Sequence, residues 1–145
     1  MNRFRALPFR HQLTIRFVGV LVTFLSLANL VRMGRAWYYA VHLPDLPLTV
    51  PWWYLIAMGG FWGIVLFVVA GGLAELRRWG RDGTLAAVTL YEAHVWLNHR
   101  LFDANDYAHQ TWPRDALLSL LLLALVWGIL LHPRIREVYE RREAK

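Results

Sequence analysis

Four stretches of this chain are apolar for membrane-spanning lengths, and the charged residues gather between them. A hydrocarbon core of ~30 Å takes ~20 apolar residues at ~1.5 Å rise each. Residues 13–33, 51–73, 83–101 and 114–132 supply such lengths. The second and fourth are plain, since neither Trp52 to Ala74 nor Ala116 to Leu131 contains a charge. The third is interrupted by Glu92, His94, Asn98 and His99, so it needs protein on its polar face; alone it would also suit a soluble bundle. The pattern predicts an all-α integral membrane four-helix bundle, one membrane domain over 1–145 with a short cytoplasmic tail at 133–145.

Breakers set the expected limits. Pro44 and Pro47 forbid a continuous helix through 34–50, so that segment is expected along the outer interface. Pro51 and Pro113 suit first helical turns, Gly80 and Gly83 a tight inner turn, and Pro133 the end of helix four. The tail after Pro133 is mixed in charge and reads as a short solvated helix.

Charge then orients the bundle. Arg3, Arg5, Arg10 and Arg16 precede the first span, Arg77, Arg78 and Arg81 join the second to the third, and Arg134, Arg136, Arg141, Arg142 and Lys145 follow the fourth. The other side has Arg32, Arg35, Arg100 and Arg114, so the excess of Lys and Arg puts both termini in the cytoplasm. Arg32 and Arg35 are discordant with that rule. The outer loops are rich in Trp37, Tyr38, Tyr39, Trp52, Trp53, Tyr54, Tyr107 and Trp112, rings that settle at headgroup level. The basic N-terminus before an apolar run is expected to be an uncleaved signal-anchor. Net charge is +6, yet it is placed at helix ends and makes no groove for nucleic acid. The absence of cysteine removes disulfides, iron–sulfur clusters and thiolate zinc sites.

Candidate chemistry is confined to the third span. Glu92 lies about nine residues inside, ~14 Å from the inner edge, and an ionised carboxylate there must be neutralised or paired. Trp96 and His99 follow at i+4 and i+7, while His94 and Asn98 form an adjacent stripe. Glu92, His94, Trp96 and His99 are therefore the candidate contacts for a quinone, a lipid or another subunit. Three readings stand: a structural acid bonded to a hydroxyl of Thr23, Ser26 or Ser119, a proton relay to a quinone headgroup, or a contact with a neighbouring subunit. Paired Glu-x-x-His motifs for a di-iron site are missing, as are facing histidines for haem, so no metal and no cofactor is expected on this chain alone. On the second span Gly59 and Gly63, four apart, flatten one face for helix packing.

The run Ala74-Glu-Leu-Arg-Arg-Trp-Gly-Arg-Asp-Gly, with Trp112-Pro113 and His132-Pro133-Arg134, resembles small four-helix proteins of bacterial inner membranes. It is also similar to accessory transmembrane subunits of bioenergetic complexes, such as that attached to the alternative complex III quinol oxidoreductase. The resemblance covers size and topology over most of the chain. It implies a cofactor-free, non-catalytic subunit packed against a larger partner in electron transfer. The alternative is a stand-alone quinone- or lipid-binding protein or a small homo-oligomeric transporter.

Overall fold

The computed structural model describes residues 9–45, 50–102 and 106–143. The orienting Arg3, Arg5 and Lys145, along with Pro47 and Asp103, lie outside them; Arg10, Tyr107, Arg141 and Arg142 fall where only the backbone is described. The protein is all-α, with helices α1 (Phe9–His42), α2 (Trp52–Ala74), α3 (Arg78–Phe102), α4 (Asp106–Leu130) and α5 (Pro133–Glu143). Stretches of α1, α2 and α4 are long and apolar enough to cross a membrane; α3 is too polar to meet the same measure. The surface is apolar where that of a soluble protein is polar. Phe17, Val20, Phe24, Leu27 and Val31 are all more than half exposed along one face of α1, as are Leu117, Leu118, Leu120 and Leu121 on α4.

The other face of α1 carries Ile15, Val18, Val22, Ser26 and Asn29 at helical spacing, all buried. It packs antiparallel on α2 in the most extensive seam of the fold. The Gly59 and Gly63 face is what lets the backbones close. A Cβ at Gly59 would stand 3.0 Å from both Asn29 O and Met33 N, and one at Gly63 would strike the Leu30 side chain. Ser26 adds a hydrogen bond from Oγ to Gly63 O at 2.7 Å across the seam.

Helix α1 runs to His42 rather than stopping at residue 33, so residues 34–42 are helix and not a strap along the interface. Arg32 and Arg35 do not end it; they line a cleft that α1 shares with α2 and α3. Pro44, two residues on, sets the limit.

The α2–α3 turn also differs from expectation. It falls at 75–77, where Leu76 adopts φ 57°. Arg77 N–H donates to Gly72 O, and Leu76 N–H to Leu73 O, each at 3.0 Å, satisfying carbonyls at the end of α2. A left-handed leucine costs ~1–2 kcal/mol. Burying its side chain to 8 % exposure offsets that, since full burial is worth ~1.5–3 kcal/mol. Gly80 and Gly83 thus lie inside α3, where Gly80 meets the backbone of Gly72 and Leu73. Their use is close approach, not turning.

Pro113 is interior to α4, which begins seven residues earlier, and Pro133 opens α5 rather than ending α4. α5 is not a solvated tail. Ile135 and Tyr139, one turn apart, are buried in the core beside Leu73, Val88, Val126 and Leu130. We call this end of the bundle, with the 75–77 turn and α5, the closed end.

Candidate functional site

Helix α3 is amphipathic, and the structure divides its polar side chains between two neighbours. Glu92 and Trp96 face α4, and His99 lies beside Trp96. Ser119 Oγ donates to Glu92 Oε2 at 2.5 Å, and Trp96 Nε1–H donates to the same hydroxyl at 3.2 Å. Glu92 is 6 % exposed, so its carboxylate is reached through this bond and not through solvent. One helical turn closer to the closed end, Trp127 Nε1–H donates to Thr89 Oγ1 at 3.0 Å. Towards the opposite end Trp96 meets His99 and Trp112, with ring centres 5.4 and 6.3 Å apart. The α3–α4 seam is therefore a ladder of polar and aromatic contacts. Of the three hydroxyls open to Glu92 from sequence, Ser119 is the partner; Thr23 bonds Gly19 O in its own helix, and Ser26 serves the α1–α2 seam.

His94 and Asn98 face the other way. Tyr54 O–H donates to Asn98 Oδ1 at 2.6 Å, and Asn98 Nδ2 lies 3.0 Å from His94 Nε2. An amide Nδ2 can only donate, so Nε2 accepts. The His94 ring also packs near Tyr54 and Trp62, at 6.1 and 5.7 Å between centres. These groups form one wall of a cleft of about 270 Å³ between α1, α2 and α3, whose opposite wall carries Asn29, Arg32 and Arg35. Arg35 also lies over the Tyr39 ring at 5.9 Å.

The four candidate residues are thus not one site. His94 joins the cleft, whereas Glu92 and Trp96 belong to the α4 seam, with His99 beside Trp96. The cleft's cations, Arg32 and Arg35, stand out in the sequence only as a breach of the charge rule. A further signal is present: Asn29, Arg32, Ala36 and Tyr39 share one helical face if α1 continues past residue 33. No protein-family model, curated protein or solved structure matches the chain.

The closed end holds a second polar group. Arg81 is buried and donates from Nε and Nη2 to Asp82 Oδ1 at 2.8 and 2.7 Å. Burial pushes the Tyr139 hydroxyl well above its usual value, and the nearby Arg81 charge only partly opposes this. Tyr139 O–H reaches Leu73 O at 3.5 Å, which ties α5 to the end of α2.

Proposed function

We propose that the chain is a multi-pass protein of the bacterial inner membrane, with α1 to α4 as four spans and both termini cytoplasmic. It acts there as a non-catalytic accessory subunit of a larger electron-transfer complex and binds no cofactor of its own. The spanning role of α3 is supported by the way it turns Glu92 and His94 onto protein, which leaves Leu90, Leu97 and Leu101 among its exposed residues. The subunit role is carried by α4. Only 11 % of its spanning stretch is buried, against 39 % for α2. Lipid tails are as apolar as leucine, so a membrane helix holds its place by packing and polar contacts. A helix so thinly packed on its own chain offers its Leu117, Leu118, Leu120 and Leu121 face to another subunit.

The test is purification from native membrane in mild detergent. A larger complex should come with the tagged chain, and substituting Leu118 and Leu121 by Ala should release it. Recovery of the chain only as a monomer or homodimer would sink the subunit role. Orientation is read separately. Reporters after Lys145 and within 76–82 should be cytoplasmic and one within 103–110 external, and an external C-terminus would reverse the reading. A stand-alone lipid- or quinone-binding protein is the second reading, favoured by the cleft.

A further inference from the structure

The depth of Arg32 and Arg35 defines what the cleft needs. Met33 packs on Gly59, seven residues and so ~10 Å inside α2 from Trp52. Tyr39, Trp52 and Tyr54 ring the same cleft, and such rings mark headgroup level. Arg32 and Arg35 therefore leave α1 roughly one to two turns below the headgroups, where an uncompensated charge is costly. Among the described residues neither forms an ion pair with a carboxylate. On the facing wall Trp62 is 7 % exposed, and among the described residues its Nε1–H has no acceptor. Buried donors without acceptors are rare, and each calls for a partner that supplies one.

We propose that this cleft binds the phosphate headgroup of an anionic phospholipid. A phosphate diester brings the negative charge that two arginines lack and the acceptor oxygens that Trp62 Nε1–H and the Asn29 amide can meet. Guanidinium matches it bidentately. A quinone carbonyl would satisfy Trp62 but leave both cations uncompensated. A free anion would have to leave water to enter the span, whereas a lipid is carried to that depth by its tails. Leu55, Met58 and Val95 make the rest of the wall apolar, as the glycerol and first methylenes require. The leaflet assigned to the lipid rests on the proposed orientation; the site does not.

Native mass spectrometry of the detergent-purified chain tests this, with added phosphatidylglycerol, phosphatidylcholine, ubiquinone or inorganic phosphate. One phosphatidylglycerol should be retained in preference to the zwitterionic lipid. Arg32→Gln should lower retention about tenfold and Trp62→Phe a few-fold, since charge-assisted bonds are about twice as strong as neutral ones. Arg32→Lys, which keeps the charge but not the fork, should fall between and guards against misfolding of the Gln variant. Arg114→Gln, away from the cleft, should change nothing. Equal retention of both phospholipids with no effect of Arg32 would overturn the site. Preferred retention of ubiquinone, or displacement of the lipid by millimolar phosphate, would overturn its assignment to a lipid. The measurement needs neither a partner subunit nor a known orientation, so its failure is separable from failure of the proposed function.

Discussion

The two ends of the bundle are built on opposite principles. At the closed end, backbone meets backbone. Gly72 and Gly80 bring α2 and α3 together, Leu76 turns the chain in a left-handed conformation, and α5 caps the core with Ile135 and Tyr139. At the other end, Arg32, Arg35, Tyr54, His94 and Asn98 line a cleft between α1, α2 and α3. Packing supplies helix association in a membrane, where no hydrophobic drive between helices exists. The closed end therefore secures the fold, and the open end is free to hold something else.

The sharpest way to break this contrast is Gly80→Ala. A Cβ there would collide with the carbonyl carbon and oxygen of Gly72 and the nitrogen of Leu73, atoms that cannot move aside as a side chain can. Forced overpacking costs ~1–3 kcal/mol or more, and this site belongs at the upper end. Thermal unfolding in detergent should show a larger drop than Glu92→Ala, Tyr139→Phe or Gly60→Ala produces. Gly71→Ala, with open space at its Cβ, is the matched control and should be neutral or slightly stabilising.

A second break acts through pH. The Tyr139 hydroxyl is raised above its ordinary 10.0 by burial, so the folded chain holds that proton more tightly than the unfolded chain. The sign follows directly. Stability from this group is complete below pH ~10 and is lost above it, by up to ~1.4 kcal/mol for each pH unit. Tyr139→Phe should remove that alkaline slope while costing little at neutral pH, because the O–H to Leu73 O contact is long at 3.5 Å. An unchanged slope in the Phe variant would mean that α5 is not fastened as described.

What the sequence made legible follows the same division. α2 could be read to within a residue at each end, because its apolar run is uniform and bounded by Pro51 and Glu75. The polar stripes of α3 could be read as two faces from their i, i+4 spacing. Their partners could not, since nothing local says that α4 supplies Ser119 or that α1 supplies two arginines. Gly80 misled for a physical reason. A glycine that permits a turn and one that permits close approach look alike until the neighbouring helix is placed. Arg32 and Arg35 misled likewise, because cations that mark a helix end in lipid can sit inside one when a cleft receives them.

Between the two ends, Glu92 tests how much a polar tie adds at mid-bundle. Glu92→Ala removes the acceptor of the Ser119 hydroxyl and leaves the Trp96–Ser119 pair without its anchor. An orphaned buried group costs ~1–3 kcal/mol in general, and pairwise terms measured inside membrane proteins average nearer ~0.6 kcal/mol. A loss of about 1 kcal/mol is expected in unfolding, with α4 loosened first in hydrogen exchange. Glu92→Gln keeps an acceptor of similar size and should lie within ~0.5 kcal/mol of the parent. If Gln preserved assembly of the native complex but stopped quinol-dependent turnover, Glu92 would be a proton relay and not a tie.

The smallest effect sharpens the comparison most, because it repeats the first substitution at the other end. Gly60→Ala places a Cβ 3.0 Å from Met33 Sδ, with Met33 Cγ next at 4.0 Å. No backbone atom stands in the way. A thioether on three rotatable bonds yields by a few tenths of an ångström at little cost. Against that stands the gain in helix propensity of Ala over Gly, ~1 kcal/mol in water and reduced where the membrane already enforces helix. The two terms nearly cancel, so stability in thermal unfolding should stay within ~0.5 kcal/mol of the parent or rise slightly. The same methyl that disrupts the closed end should thus be tolerated near the cleft. A large loss at Gly60 would mean that the open end is as rigidly packed as the closed one, and the contrast between them would fall.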